Sequence, residues 1–233
     1  MGSKTPDRRA PAARGLRVVA ARFVTSAPDP AALPPPDRPE LAFCGRSNAG
    51  KSSLLGALLG RPKLVRTSRT PGCTTLLNVF EADVLGPAGA RRAVRLMDLP
   101  GYGYAALPAG ARAALARRID AYLAARAPRA VFVLADARHG LGRGDLAFVA
   151  RAADAGHRLV LVATKVDKLR AGQRAGRRRA VAEALGVSAG AVFMTSARTR
   201  EGIAGPDGLV GLLWDLADPA AEEAVEVEVG HTP

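Results

Sequence analysis

Gly45-Arg46-Ser47-Asn48-Ala49-Gly50-Lys51-Ser52 is the stretch on which the reading of this 233-residue sequence turns. It fits GxxxxGK[ST], the phosphate loop of P-loop nucleotide-binding proteins. An apolar run at 41–44 precedes it and reads as a buried strand, and Leu54, Leu55, Leu58 and Leu59 follow at helical spacing. That strand–loop–helix setting is what the motif requires. Gly45 and Gly50 let the main chain wrap a phosphate. The segment from Gly45 through Arg46, Ser47, Asn48, Ala49, Gly50, Lys51 and Ser52 to Ser53 then aims N–H groups and a helix N-terminus at the anion. Lys51 sets a positive charge between the β- and γ-phosphates, and Ser52 offers its hydroxyl to Mg²⁺. The bland alternative is a chance match among 25 glycines, and the flanking strand and helix weigh against it.

A phosphate loop does not choose a base. Thr164-Lys165-Val166-Asp167 does, directly after an apolar run at 159–163. It matches [NT]KxD, in which the carboxylate accepts from both the ring N–H and the exocyclic amine of guanine. Adenine offers no such pair on that edge. The apolar stem of Lys165 can lie over the purine. One strand later comes Thr195-Ser196-Ala197, where a backbone N–H can meet the guanine oxygen. The order and spacing of these segments make GTP or GDP the expected ligand.

Asp98-Leu99-Pro100-Gly101 fits DxxG. Asp98 is placed to hold Mg²⁺ through water, and the Gly101 N–H to meet the γ-phosphate, so loss of that phosphate releases the loop. Between the first helix and a hairpin read at 77–98 lies Arg69-Thr70-Pro71-Gly72-Cys73-Thr74-Thr75. Thr74 is chosen there as the Mg²⁺ ligand of the triphosphate state, with Thr70 and Thr75 as alternatives. Tyr102 follows Gly101, where many GTPases carry a glutamine that orients the attacking water. A tyrosine cannot act in the same way, so slow intrinsic hydrolysis is expected.

Around these motifs, short apolar runs at 41–44, 130–135, 159–163 and 191–194 read as parallel strands. Residues 17–24 read as a first strand. Residues 77–85 and 91–98, joined by Gly86-Pro87-Ala88-Gly89, read as a hairpin. Leu115, Ile119, Tyr122 and Leu123 mark one helix face, and Leu209, Leu212, Leu213 and Leu216 another. The fold class expected is α/β: a P-loop, Ras-like G domain whose mostly parallel sheet has one antiparallel hairpin strand and helices on both faces. Residues 1–16 read as a disordered basic N-terminus, 17–216 as one G domain, and 217–233 as a disordered acidic tail. Six prolines within 27–39 predict a loop without regular structure.

Net charge is +13. Residues 217–233 hold five acids and no Lys or Arg, which leaves 34 basic against 16 acidic residues, +18, on 1–216. A body this basic suggests a polyanionic partner, the competing reading being solvated arginine. No apolar run approaches the roughly 18–20 residues of a membrane span, and the basic N-terminus has no apolar segment behind it. Cys44 and Cys73 have no metal-binding spacing, and two free thiols in a reducing cytosol are expected.

Taken together, FCGRSNAGKSSLLGALL, RTSRTPGCTTLLNVFE, LMDLPGYGYA, Asp136-Ala137-Arg138-His139, TKVDKL and TSAR resemble the EngB family of bacterial ribosome-assembly GTPases, also written YsxC or YihA. The resemblance runs from about Phe23 to Trp214. It implies a single Ras-like G domain, cytoplasmic, acting in maturation of the large ribosomal subunit, with subunit precursors and rRNA as partners. It also implies that Asn48 helps hold K⁺, as the matching asparagine does in related K⁺-stimulated GTPases. A monomer without membrane association is expected. Cys73 and Thr75 stand where that family usually has a basic residue and a glutamine, and Ala49 where valine is common.

Catalysis is therefore expected to rest on Lys51, Thr74, Gly101 and Asn48, and metal binding on Ser52, Thr74 and Asp98. Two basic clusters are the rRNA candidates: Arg61, Lys63, Arg66 and Arg69 before the first switch, and Arg170, Arg174, Arg177, Arg178 and Arg179 after TKVD. A metabolic P-loop kinase or ATPase is disfavoured by TKVD and DLPG. A nucleotide-gated RNA scaffold with negligible turnover stays open, because the glutamine is missing.

Overall fold

A computed structural model describes residues 15–67, 75–102, 108–218 and 220. Seven strands form one sheet in the order β1-β3-β4-β2-β5-β6-β7. They are β1 (Arg17–Ala27), β2 (Glu40–Gly45), β3 (Leu77–Leu85), β4 (Arg91–Asp98), β5 (Ala130–Asp136), β6 (Leu159–Thr164) and β7 (Val192–Met194). From β4 through β2, β5 and β6 to β7 every pairing is parallel. β3 pairs antiparallel with both β4 and β1, so it is the strand that runs against the rest. The mostly parallel sheet with one reversed hairpin strand is what the sequence predicts.

Alternation along each central strand explains the layers. Leu41 and Phe43 of β2, Phe132 and Leu134 of β5 and Val162 of β6 join one buried cluster. Their neighbours Ala42, Cys44, Val131, Val133 and Leu161 join a second. Both faces are apolar, so both must be covered. The first cluster is closed by α1 (Lys51–Leu58) and α6 (Leu209–Leu216), with Val65 of α2 (Pro62–Thr67). The second is closed by α3 (Ala109–Arg126), α4 (Arg143–Asp154) and α5 (Ala171–Glu183). Leu115, Ile119, Tyr122 and Leu123 are the buried residues of α3, as their spacing predicts. In α6 the buried set is Leu209, Val210, Gly211, Leu213 and Leu216, while Leu212 is half-buried.

Several boundaries differ from the sequence reading. β1 runs on to Ala27, three residues past the predicted end, because it pairs along most of β3. The proline-rich stretch after it contains one 3₁₀ turn, Pro30–Ala32, capped by Asp29. It is also fastened: Arg95 donates to Pro35 O at 2.8 Å and Arg126 to Pro34 O at 2.9 Å. Arg95 lies buried between Glu40 and Glu81, each at 3.1 Å. Ala217 is buried and Asp218 pairs with Arg92 at 2.5 Å, so the packed body extends past 216. Residues 1–14 and 221–233 lie outside the described residues.

Parallel strands in one sheet deliver their carboxyl ends to one edge. Gly45, Asp98, Asp136, Thr164 and Met194 end β2, β4, β5, β6 and β7 along it. Ligands of open α/β sheets bind outside this edge.

Candidate functional site

The phosphate loop leaves β2 at Gly45 and enters α1 at Lys51. Gly45 and Gly50 have φ of +156° and +88°. A Cβ on Gly45 would stand 2.6 Å from Leu134 O, and one on Gly50 3.3 Å from the Lys165 stem. Asn48 also takes a left-handed φ, +65°, which asparagine tolerates better than most residues. The result is a cavity of about 370 Å³ lined by residues 46–53 together with Gly101 and Lys165.

At its inner wall, the Lys51 ammonium donates to the Asp98 carboxylate. Asp98 is wholly buried and Lys51 nearly so. Asn78 of β3 adds an N–H to the other Asp98 oxygen at 3.4 Å. Ser52 is half-buried beside Lys51. Among the described residues no group of three or more His, Cys, Asp or Glu is placed to hold a metal. Ser52 lines the cavity and Asp98 is held on Lys51; each offers a hard oxygen donor of the type that Mg²⁺ takes together with phosphate oxygens.

A second cavity, about 530 Å³, opens along Ser52, Ser53, Asp167, Ala197 and Arg198. Lys165, left-handed at φ +59°, turns the chain after β6. Its Nζ donates to Asn48 O at 2.5 Å and pairs with Asp136 at 2.9 Å. The Thr164 hydroxyl lies 2.5 Å from Ala49 O. The TKVD segment is thus bolted to the phosphate loop. Asp167 accepts from Ser196 Oγ at 2.7 Å and from Arg198 Nε at 2.8 Å. The Arg198 hydrogen bond, then that of Ser196, holds the Asp167 carboxyl below the usual carboxylate range. Asp136 is held far below it too: burial pushes the other way, and Arg138 and Lys165 outweigh it.

The structure brings residues 46–53, Gly101 and Lys165 around one cavity, with Asp167 and Ala197 on its neighbour. Thr195 points elsewhere. It is fully buried, and its N–H and hydroxyl both go to Ala163 O, zipping β7 to β6. Thr70, Cys73, Thr74 and Arg69 lie outside the described residues. Thr75 is described, and its carbonyl accepts from Arg118.

Tyr102 is turned away from the cavity. Its ring stacks on Phe148 of α4, centroids 5.0 Å apart, and its backbone bridges to Arg46. In the basic cluster on α5, Arg174 pairs with Glu201 at 2.7 Å, and Arg178 donates to Val192 O and Gly190 O. Arg170, Arg177 and Arg179 are exposed. The His139 N–H closes a turn onto Asp136 O at 3.0 Å, the loop-shaping role its sequence suggests. Trp214 packs over Gly86, with the Arg92 guanidinium 4.0 Å from its ring.

Three functional candidates stand inside the quoted stretches but are given no role by the motif reading. Arg198 follows Ser196-Ala197 directly and is visible in the sequence as the next charge. Asp136 ends an apolar strand, a position that marks it. Asn78 carries no such signal, since only the β3–β4 register sets it opposite Asp98.

A family model described as a 50S ribosome-binding GTPase matches residues 40–165. The probable GTP-binding protein EngB of Anaeromyxobacter dehalogenans (strain 2CP-C) is 43% identical over 216 residues, 91% of this chain and 97% of that one. That of Syntrophotalea carbinolica is 39% identical over 188 residues, 80% of this chain and 87% of its own. A crystal structure of a probable GTP-binding protein engB superposes with TM-score 0.59 at 20% identity, over 76% of this chain and 98% of that one. Era in complex with MgGDPNP and a 16S ribosomal RNA segment gives 0.55 at 18% identity, over 77% and 55%. At these identities the two structures speak for the fold alone.

Proposed function

The chain belongs to the EngB family of GTP-binding proteins, and from that premise we propose that this GTPase is a nucleotide-dependent switch in assembly of the bacterial large ribosomal subunit, with slow intrinsic hydrolysis. The observation that carries this reading is the meeting of residues 46–53, Gly101, Lys165 and Asp167 around two adjoining cavities at one sheet edge. In the proposal, GTP lays its phosphates along 45–53 and its base between the Lys165 stem and Ala197. Asp167 takes the guanine N–H donors, and the Ala197 N–H takes its oxygen. Lys51 leaves Asp98 for the β- and γ-phosphates, and Gly101 N–H reads the γ-phosphate.

Ser52, Asp98 and Thr74 would hold Mg²⁺, which when bound neutralises charge on the phosphates. Asn48 would hold K⁺ near the β/γ bridge. Tyr102, packed on Phe148, offers no group to orient water, which supports slow turnover. A monomeric, cytoplasmic protein comprising one G domain with basic and acidic extensions completes the reading. Its ribosomal part is supported by the +18 charge of residues 1–216 and by the description of the matching family model.

A second reading, a nucleotide-gated RNA scaffold with negligible turnover, draws on the same packing of Tyr102 on Phe148. Phosphate release with and without large subunits separates the two. Stimulation by subunits is expected from the switch. State-dependent subunit binding without any turnover would favour the scaffold.

A further inference from the structure

Beside the phosphate loop, Tyr102 and Asp145 make a buried pair that the proposed nucleotide chemistry does not use. Asp145 of α4 is 1% exposed. Its Oδ2 accepts the Gly142 N–H at 2.8 Å, closing the N-terminus of α4. Its Oδ1 has no hydrogen-bond partner, nor has the Tyr102 hydroxyl, and both atoms are buried. The two groups stand close enough for a hydrogen-bonding and charge interaction to shift both, but the alignment of a full hydrogen bond is not reached. One is a donor, the other an acceptor. A buried donor and acceptor left short of a full hydrogen bond are both destabilising, so a better-aligned arrangement is favoured. Burial, opposed by the Gly142 N–H and Tyr102, holds the Asp145 carboxyl above its ordinary range.

Tyr102 is well sited to sense the nucleotide. It follows Gly101, which lines the phosphate cavity, and its backbone pairs with Arg46 of the phosphate loop. The Arg46 guanidinium in turn lies over the start of α4, where a Cβ on Gly142 would stand 2.8 Å from Nη1. The ring is fixed on Phe148, so a small shift of residue 102 along that face changes the distance from hydroxyl to carboxylate. A ligand shifts a conformational equilibrium only through contacts that differ between its two states. A donor–acceptor pair one residue from Gly101, short of full hydrogen-bond alignment, is a place where such a difference can arise.

We infer that Tyr102 is a positioning residue for the γ-phosphate response: its hydroxyl closes on Asp145 Oδ1 when Gly101 engages the γ-phosphate, tying the switch to α4. The inference rests on the reading that guanine nucleotide occupies the phosphate loop. It assigns the residue in the glutamine's place a mechanical task and makes α4 the element that carries nucleotide state outward.

Calorimetric affinities for GDP and a non-hydrolysable GTP analogue test it, in wild type, Tyr102→Phe, Asp145→Asn and the double variant. Tyr102→Phe keeps the ring on Phe148, so folding is not at stake. The analogue-to-GDP affinity ratio should fall about three- to tenfold in Tyr102→Phe, with GDP affinity kept, as expected for one net hydrogen bond. The double variant should lose no more than the larger single loss, the mark of a coupled pair. An unchanged ratio in Tyr102→Phe, equal losses for both ligands, or additive losses would overturn the inference. Wild-type protein that binds neither nucleotide would instead overturn the reading beneath it.

Discussion

Lys51, at the start of α1, and Asp98, the last residue of β4, meet as an ion pair closed to solvent: Asp98 is 0% exposed and Lys51 7%. The chain holds its own counterion where a phosphate is expected. Removing one partner of such a pair leaves a buried charge and typically costs about 3–5 kcal/mol. Lys51→Ala should therefore lower both nucleotide affinity and melting temperature, the latter by roughly 6–20 °C, with the Asn78 hydrogen bond pulling towards the lower end. Lys51→Met/Asp98→Leu should recover much of the stability and none of the binding. Paired calorimetry and thermal melts check this, and wild-type affinity in Lys51→Ala would remove the phosphate-loop assignment.

Base choice should follow Asp167. Asp167→Asn exchanges an acceptor for a donor, so GTP affinity should drop about 5- to 150-fold, the equivalent of about 1–3 kcal/mol. Affinity for xanthosine triphosphate should rise, because xanthine carries a carbonyl where guanine carries the amine. Competition binding of the two nucleotides decides it; unchanged GTP affinity would take Asp167 out of the site.

Acid should act through the same carboxylate. The Asp167 carboxyl sits below its ordinary value because of Arg198 first and Ser196 second. A depressed carboxylate contributes stability that is complete above its unfolded pKa and lost as pH falls through the folded one. GDP binding should accordingly survive below about pH 4, the ordinary range for aspartate. Arg198→Ala should move the acid limit of binding upward. Affinity measured along a pH series reads the shift, and coincident profiles would mean that Arg198 does not govern Asp167.

Potassium dependence can be separated from loop shape because Asn48 is left-handed. Asn48→Gly keeps that backbone and removes the side chain. Wild-type turnover should be faster in KCl than in NaCl at equal ionic strength, since a cation by the β/γ bridge stabilises developing charge. Asn48→Gly should abolish the difference while GDP affinity is retained. Equal wild-type rates in the two salts would leave Asn48 a purely structural residue.

For ribosomal RNA, the α5 arginines divide by their partners. Arg178 is committed to the carbonyls of Val192 and Gly190, so its replacement should lower stability. Arg177 and Arg179 are exposed, and Arg177→Gln/Arg179→Gln should weaken binding to large subunits in both nucleotide states. Withdrawing one arginine from an RNA phosphate flattens the slope of log affinity against log salt by about 0.7–0.9. Co-sedimentation across a salt series measures it; an unaltered slope would move the RNA-binding surface off α5.

Much of this is legible in the chain because the fold and phosphate loop are local and periodic. Strand alternation and the spacing of Leu115, Ile119, Tyr122 and Leu123 point inward without any tertiary information. What escapes depends on pairing across the sheet. Arg95 reads as one more surface arginine until β2 and β4 align it with Glu40 and β3 brings Glu81. Thr195 reads as part of the base site because it adjoins Ser196, yet β7 pairing turns it into the sheet. Tyr102 is visibly unable to replace a glutamine, but its seat on Phe148 needs α4 in place. β1 is longer than its own residues indicate because β3 sets its length from a distance.

Cys44 lies at the foot of the phosphate loop, 0% exposed, its thiol within 3.5 Å of Phe132 O and pushed far up in pKa by burial. Alkylating reagents attack thiolates, so in the native chain this sulfur is silent. It becomes reactive only when the central strand parts from its neighbours, an event whose frequency reports local or global opening. The labelling half-life of the Cys44 peptide is therefore a built-in clock. Read with and without nucleotide, it reports how tightly a ligand cements the sheet it sits on, with no engineered cysteine.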